Sequence, residues 1–237
     1  MLDAAFGDRA VYLRGADALV IADLHVGRAT ASDVAYPIDE AGDLAGRLRG
    51  LLDRFAPAEV AFAGDVLHRF DRVAVGDERA LSRLVDACRD AGASVALVAG
   101  NHDTALSAVR DDPVTDAHAL DAGRDDGPIV VRHGHESPPA DEDAGVYVVG
   151  HDHPTIDVEG RRRPCFLYGE RAHGGADVLM LPPFSRVAPG VEVNEMRARD
   201  FDSPFVADPD AFRPILATDG DADPLVFPPL GECRRLL

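Results

Sequence analysis

A chain of 237 residues suits one large domain or two small ones, and its 46% hydrophobic content excludes a disordered protein. No apolar run approaches the roughly 18 residues that cross a bilayer, which excludes a helical membrane span. Asp and Glu number 42 against 24 Lys and Arg, and the formal net charge of -18 argues against broad nonspecific binding of nucleic acid.

The opening stretch "MLDAAFGDRA" carries neither a charged leader nor an apolar signal core, so the expectation is a soluble, cytoplasmic protein. Residues 18–25, "ALVIADLH", are an apolar run ending in charge and read as a first strand. Residues 39–55 carry leucines at 44, 48, 51 and 52, a helical stripe that Asp39 or an earlier residue caps and Pro57 closes. A second strand follows at 59–66, "EVAFAGDV". Residues 77–91 repeat the helical spacing with Leu81, Leu84, Val85 and Cys88, and Gly92 ends it. "SVALVAG", 94–100, is a third strand. This β-α-β-α-β order implies parallel strands covered on both faces.

The back half changes character. "PIVVRHGH", "GVYVVGHDH", "RPCFLYGE" and "ADVLMLPPF" are strands separated by short turns, and "PILATDGDADPLVFPP" reads as a last hairpin around "DGDAD". The expected architecture is a single α/β domain over 1–237, with a second, largely antiparallel sheet on the first. That is a four-layer α-β-β-α sandwich of two mixed sheets. Cys88, Cys165 and Cys233 match no zinc-finger spacing and read as buried thiols. The triplet Arg161, Arg162 and Arg163 is either a solvated turn after "VEG" or a phosphate contact.

Polar residues collect at the ends of these strands. The first ends with Asp23 and His25, the second with Asp65 and then His68, the third with Asn101, His102 and Asp103. The next two end with His133 and His135, and with His151 and His153. Seven of the nine histidines fall in these places, which chance clustering does not explain. The carboxyl-end edge of an α/β sheet is where ligands bind. Asn101 and Gly100 alone would also suit a turn. On a strand, residues i and i+2 share a face, so Asp23 with His25, and His151 with His153, could each grip one ion. Mixed carboxylate and imidazole donors suit Mn, Fe or Zn better than Ca or Mg. Asp65, central in the set, could bridge two ions placed for in-line displacement at phosphorus.

In this order, D-x-H, G-D, G-N-H-D, a histidine after the fourth strand and G-H-x-H resemble the calcineurin-like metallophosphoesterase superfamily. "ADLHVG", "RHGH", "GHDHP" and "LPPFSRVAPGVEVN" are further similar to small archaeal phosphoesterases related to SbcD, a DNA-repair nuclease. The resemblance implies two divalent ions, manganese first, with Fe, Zn, Co or Ni suiting the same donors. It places Asp23, His25 and His153 on one ion, Asn101, His133 and His151 on the other, and Asp65 between them. His102 would be a general acid or a phosphate-contacting cation, with Asp103 orienting it or the turn. His68 would line the site or stand at the surface, and His135 would support a ligand or meet substrate. Arg28 stands where an acidic residue is expected.

The activity so implied is hydrolysis of phosphoesters by a metal-bridging hydroxide, with phosphodiesters of nucleic acid or nucleotides favoured. The alternatives are a small-molecule phosphomonoesterase and a non-catalytic, metal-stabilised scaffold in a DNA-repair complex. A homodimer and a DNA-repair partner are the associations expected, with no membrane partner. Finally, the absence of lysine and the excess of aspartate resemble proteins of salt-in halophiles, haloarchaea above all; an acidic protein from a GC-rich organism is the other reading.

Overall fold

The computed structural model describes residues 2–31, 39–70, 73–218 and 222–234. The first sheet has six strands in spatial order β1 (Ala4–Gly7), β2 (Ala10–Leu13), β3 (Ala18–Ile21), β4 (Glu59–Ala63), β5 (Ser94–Val98) and β6 (Val114–Thr115). β1, β2 and β3 are antiparallel neighbours, while β3 to β6 run parallel. The parallel run follows from the crossovers α2 (Glu40–Phe55) and α3 (Val75–Asp90), each long enough to return the chain to the same edge. Two short helices, α1 (Arg28–Ala31) and α4 (Leu106–Val109), follow β3 and β5. The Asp39 carboxylate caps α2 by accepting from the Gly42 amide at 2.9 Å.

Strand periodicity divides the core. Leu19, Ile21, Phe62 and Leu97 face Leu44, Leu48, Leu81, Leu84 and Val85 of the two long helices. The intervening Val20, Ala61, Ala63, Ala96 and Val98 face the second sheet, against Val131, Val148, Phe166 and Leu179. The many alanines on that face let the two sheets approach closely.

The second sheet contains β7 (His118–Leu120), β8 (Ile129–Val131), β9 (Val146–Val149), β12 (Phe166–His173), β13 (Ala176–Met180), β15 (Arg213–Leu216) and β16 (Leu225–Val226). Their order is β16-β15-β12-β13-β9-β8-β7. Most pairings are antiparallel, as expected, and β15 and β16 form the predicted last hairpin, whose turn at 219–221 lies outside the described residues. β8 and β9 are parallel neighbours, however, and so are β9 and β13. A third sheet, β11 (Arg161–Pro164), β10 (Pro154–Val158) and β14 (Val191–Glu192), was not expected.

The fourth layer is thin. Ile156, Val193, Phe201, Phe205, Phe212 and Leu230 cover the outer face of the second sheet, contributed by the small sheet, the segment 193–212 and α5 (Leu230–Cys233). The result is a mixed α/β fold with several mixed sheets and few helices. No helix among the described residues is long and apolar enough to cross a membrane.

Candidate metal centre

Three strands of the first sheet and two of the second deliver their following residues to one edge. β8 and β9 do so because they run parallel; an antiparallel pair would deliver to opposite ends. The delivering strands are not consecutive as expected, since β6 and β7 intervene between β5 and β8. The strands also stop earlier than predicted, at Ile21, Ala63 and Val98. Asp23, His25, Asp65, His151 and His153 therefore sit beyond the ladder, with positive φ values of 55°, 46°, 47°, 79° and 52°. This corrects the strand-face argument for paired ligands. Side chains at those positions converge because the backbone turns left-handed, a conformation costly for non-glycine residues and concentrated at functional sites.

Hydrogen bonds hold these turns. The Asp23 amide donates to the Gly64 carbonyl at 3.1 Å, and the His25 amide to the Asp65 carbonyl at 2.8 Å. Glycine is required at two crossings. A Cβ on Gly64 would lie 2.5 Å from the His133 ring, and one on Gly100 would lie 2.2 Å from the Asp65 amide nitrogen.

All eight residues expected at the centre meet. His25 Nε2 lies 3.2 Å from His153 Nε2, and Asp23 Oδ1 lies 3.3 Å from the same His153 nitrogen. His133 Nε2 lies 3.0 Å from Asn101 Oδ1 and 3.2 Å from His151 Nδ1. Asp65 stands between the groups. Its Oδ1 lies 3.3 Å from His133 Nε2, while its Oδ2 lies 3.8 Å from His25 Nε2 and from His102 Nε2. Asp23, His25 and His153, and likewise Asp23, Asp65 and His133, offer donor atoms within 4.8 Å of one another.

Burial sets the protonation of the centre. It pushes the Asp65 carboxyl up to about 8, helped by the neighbouring Asp23 and Asp103 carboxylates. Burial likewise holds His25 down at about 3 and His133 at about 4, so both rings are neutral, the form that ligates metal. His153 moves the other way: burial lowers its pKa, but the Asp23 carboxylate outweighs that and holds it above its ordinary value. Two buried carboxylates among imidazoles are a donor set that divalent metals accept. Asp23, His25 and His153 could hold one ion, and Asp23, Asp65 and His133 bring donor atoms close enough to hold a second.

The His102 ring donates through Nδ1 to the His68 carbonyl at 2.8 Å, and its face is stacked on Phe70 with centroids 3.9 Å apart. Asp103 orients the turn rather than His102: its carboxylate accepts from the amides of Val66, Leu67 and Gly100 at 3.1, 2.8 and 2.9 Å. His68 is half-buried, its ring 5.9 Å from that of His102. His135 packs 5.2 Å from the His133 ring and lines a cleft of about 510 Å³ with Gly100 and Arg132. Arg28 follows the His25 turn, and its positive charge disfavours protonation of His25 and His68. His118 instead pairs with Glu59 at 3.0 Å, and His173 packs on Phe205, both outside the centre. Cys88, Cys165 and Cys233 are free and buried.

Sequence reasoning missed two residues. Asp152, between the two histidines, is buried and accepts from the amides of Asp202 and Ser203 at 3.0 and 3.2 Å, tying this turn to the fourth layer. Pro189 accepts from His153 Nδ1 at 3.1 Å and sets that ring with Nε2 inward. The placement of Asp152 inside "HDH" was a legible signal; a carbonyl acceptor leaves none.

A family model described as calcineurin-like phosphoesterase matches residues 17–155. Among solved structures, the nuclease MPE of Pseudomonas putida is 26% identical, with 92% of each chain covered and a TM-score of 0.59. Yfce, a phosphoesterase from E. coli, is 18% identical over 73% of this chain and 84% of its own, with a TM-score of 0.46. No curated protein matches the chain.

Proposed function

The chain belongs to the calcineurin-like phosphoesterase family and is a metal-dependent phosphoester hydrolase; from that premise we propose that it cleaves phosphodiesters of nucleic acid or nucleotides with two ions, manganese first. The observation that carries the two-ion reading is Asp65, whose two oxygens address separate imidazole groups. The similarity to a nuclease over nearly the whole chain supports the diester reading.

In this reading Asp23, His25 and His153 hold one ion, Asn101, His133 and His151 the other, and Asp65 both. When bound, the ions polarise phosphoryl oxygens and lower the pKa of water. His102 works beside them. With its Nδ1–H committed to the His68 carbonyl, it presents Nε2 toward the centre, where it can protonate the oxygen that leaves phosphorus. Phe70 backs the ring and keeps that edge forward. The cluster spanning both sheets supports the whole chain acting as one domain. The acidic, lysine-free composition supports work in a saline cytoplasm.

The test compares hydrolysis of bis(p-nitrophenyl) phosphate and p-nitrophenyl phosphate with Mn in concentrated KCl, wild type beside Asp65→Asn. Faster diester turnover, lost in the variant, is expected. Faster monoester turnover would replace the diester reading with a phosphatase. No turnover with metal bound and the fold intact would favour a metal-stabilised scaffold.

A further inference from the structure

In so acidic a chain, two arginines on one short strand, Arg161 and Arg163, lack carboxylate partners among the described residues. The β10–β11 hairpin pairs Ile156 with Arg163 and Val158 with Arg161. Alternate strand residues share a face, so Arg161 and Arg163 point together and Arg162 points away. Arg161 and Arg163, with Arg9 and Arg186, line a groove of about 1000 Å³. Arg162 lies outside it and pairs with Glu192 at 2.8 Å. Among the described residues, neither Arg161 nor Arg163 has an ion pair.

The rest of the lining offers two carboxylates, Asp8 and Glu159, against four arginines, and neither carboxylate forms an ion pair with Arg161 or Arg163 among the described residues. Arg9 gives its hydrogen bonds to the carbonyls of Pro183 and Ser185, at 3.1 and 2.8 Å. Asp8, one of two acidic residues in the groove, is already held by Arg47 at 2.7 Å and Arg186 at 3.5 Å. Burial first, and then the neighbouring Arg47 and Arg186 charges against the opposing Asp8 and Asp43, push Arg9 down to about 10.

The groove connects to the metal centre through the loop after β13. The Ser185 carbonyl accepts from Arg9, while the Ser185 amide donates to the Asp23 carbonyl at 3.2 Å. Further along the same loop, Pro189 accepts from His153. The β1–β2 turn that carries Asp8 and Arg9 lies at the edge where β3 ends, since Val11 pairs with Val20, so the groove and the centre share one edge of the molecule.

We propose that this groove binds a nucleic-acid strand whose scissile ester lies at the metal centre, with Arg161 and Arg163 meeting phosphates beyond that ester; the inference rests on the phosphodiester reading above. Guanidinium forks match phosphate oxygens in geometry and charge. Leu225 and Phe227, also in the lining, offer an apolar surface on which bases lie. A small monoester carries no second phosphate for these residues to hold, so the groove would favour a polymer.

The test is fluorescence anisotropy of a labelled, phosphorothioate-linked single-stranded oligonucleotide, which resists cleavage, titrated with the Mn-loaded full chain across a KCl series. Arg161→Gln/Arg163→Gln is compared with the charge-matched control Arg162→Gln/Arg199→Gln, Arg199 being an exposed partner of Asp200. The groove variant is expected to bind roughly tenfold more weakly, with a salt slope smaller by about 1.4, or about 0.7 per lost phosphate contact. The control is expected to bind as wild type does. Equal weakening in both variants, or none in the groove variant, would overturn the proposal. Should the groove variant fail to fold in a thermal melt, Arg163→Gln alone is read the same way, with half the slope change. A wild type that binds the oligonucleotide as expected yet hydrolyses no bis(p-nitrophenyl) phosphate would sink the catalytic reading and leave the groove standing.

Discussion

His102 shows how one side chain is prepared by its neighbours. Its Nδ1 proton is fixed on the His68 carbonyl at 2.8 Å, and its ring lies against Phe70. If it protonates the leaving oxygen, His102→Ala should slow diesters with alkoxide leaving groups by about 10² to 10⁴ fold. Esters of p-nitrophenol, whose leaving group needs little protonation, should suffer far less. A leaving-group series with wild type and variant measures this; equal losses across the series would make His102 a phosphate contact instead. Asp103 acts through the backbone. Replacing it with Asn exchanges one acceptor oxygen for an NH2 group facing amide donors. Each amide left unpaired costs about 1 to 3 kcal/mol, so urea unfolding of Asp103→Asn should show a loss of that order.

At the scale of elements, the site is a property of turns that follow strands. Long-range hydrogen bonds fasten them, and the β1–β2 turn is fastened in the same way. Asp8, in that turn, meets Arg47 of α2 at 2.7 Å, and Arg47 also donates to the Phe184 carbonyl at 2.6 Å. Burial alone would raise the Asp8 carboxyl, but Arg47 and then Arg186 outweigh it and hold it below its ordinary value of 3.8. The unfolded chain therefore takes up this proton first as the pH falls. The stabilisation is complete above the ordinary value and is lost as the pH drops through the lower folded one. Urea unfolding of wild type and Asp8→Asn should differ by a constant amount from neutrality down to about pH 5, and the gap should close below about pH 4. A gap that widened in acid would contradict the pairing.

For the whole molecule, the net charge of -18 is the dominant electrostatic fact. Self-repulsion opposes the compact state in dilute salt, and the Debye length shrinks from about 10 Å at 0.1 M to about 3 Å at 1 M. Thermal unfolding should therefore move to higher temperature as KCl rises toward molar concentration. A melting temperature that fell over that range would show that surface ion pairs, such as Arg14 with Asp3 at 3.0 Å, outweigh the repulsion.

The donor types, their order and the strands that precede them can be read directly from the amino-acid order. Buried parallel strands read as apolar runs, and helices such as α2 show a leucine stripe, so these elements were legible locally. The N-terminal hairpin, the third sheet and the thin fourth layer were not legible, because short strands and loops gain their stability from what they pack against. Long-range packing makes β8 and β9 run parallel and brings their histidines to the edge used by β3, β4 and β5. It also decides that Asp103 clamps a turn and that Arg161 and Arg163 face a groove while Arg162 does not. His25 and His153 are 128 residues apart in sequence and 3.2 Å apart in space. Local patterning fixes which residues are polar at a strand's end, but only the packing of two sheets fixes which of those ends meet.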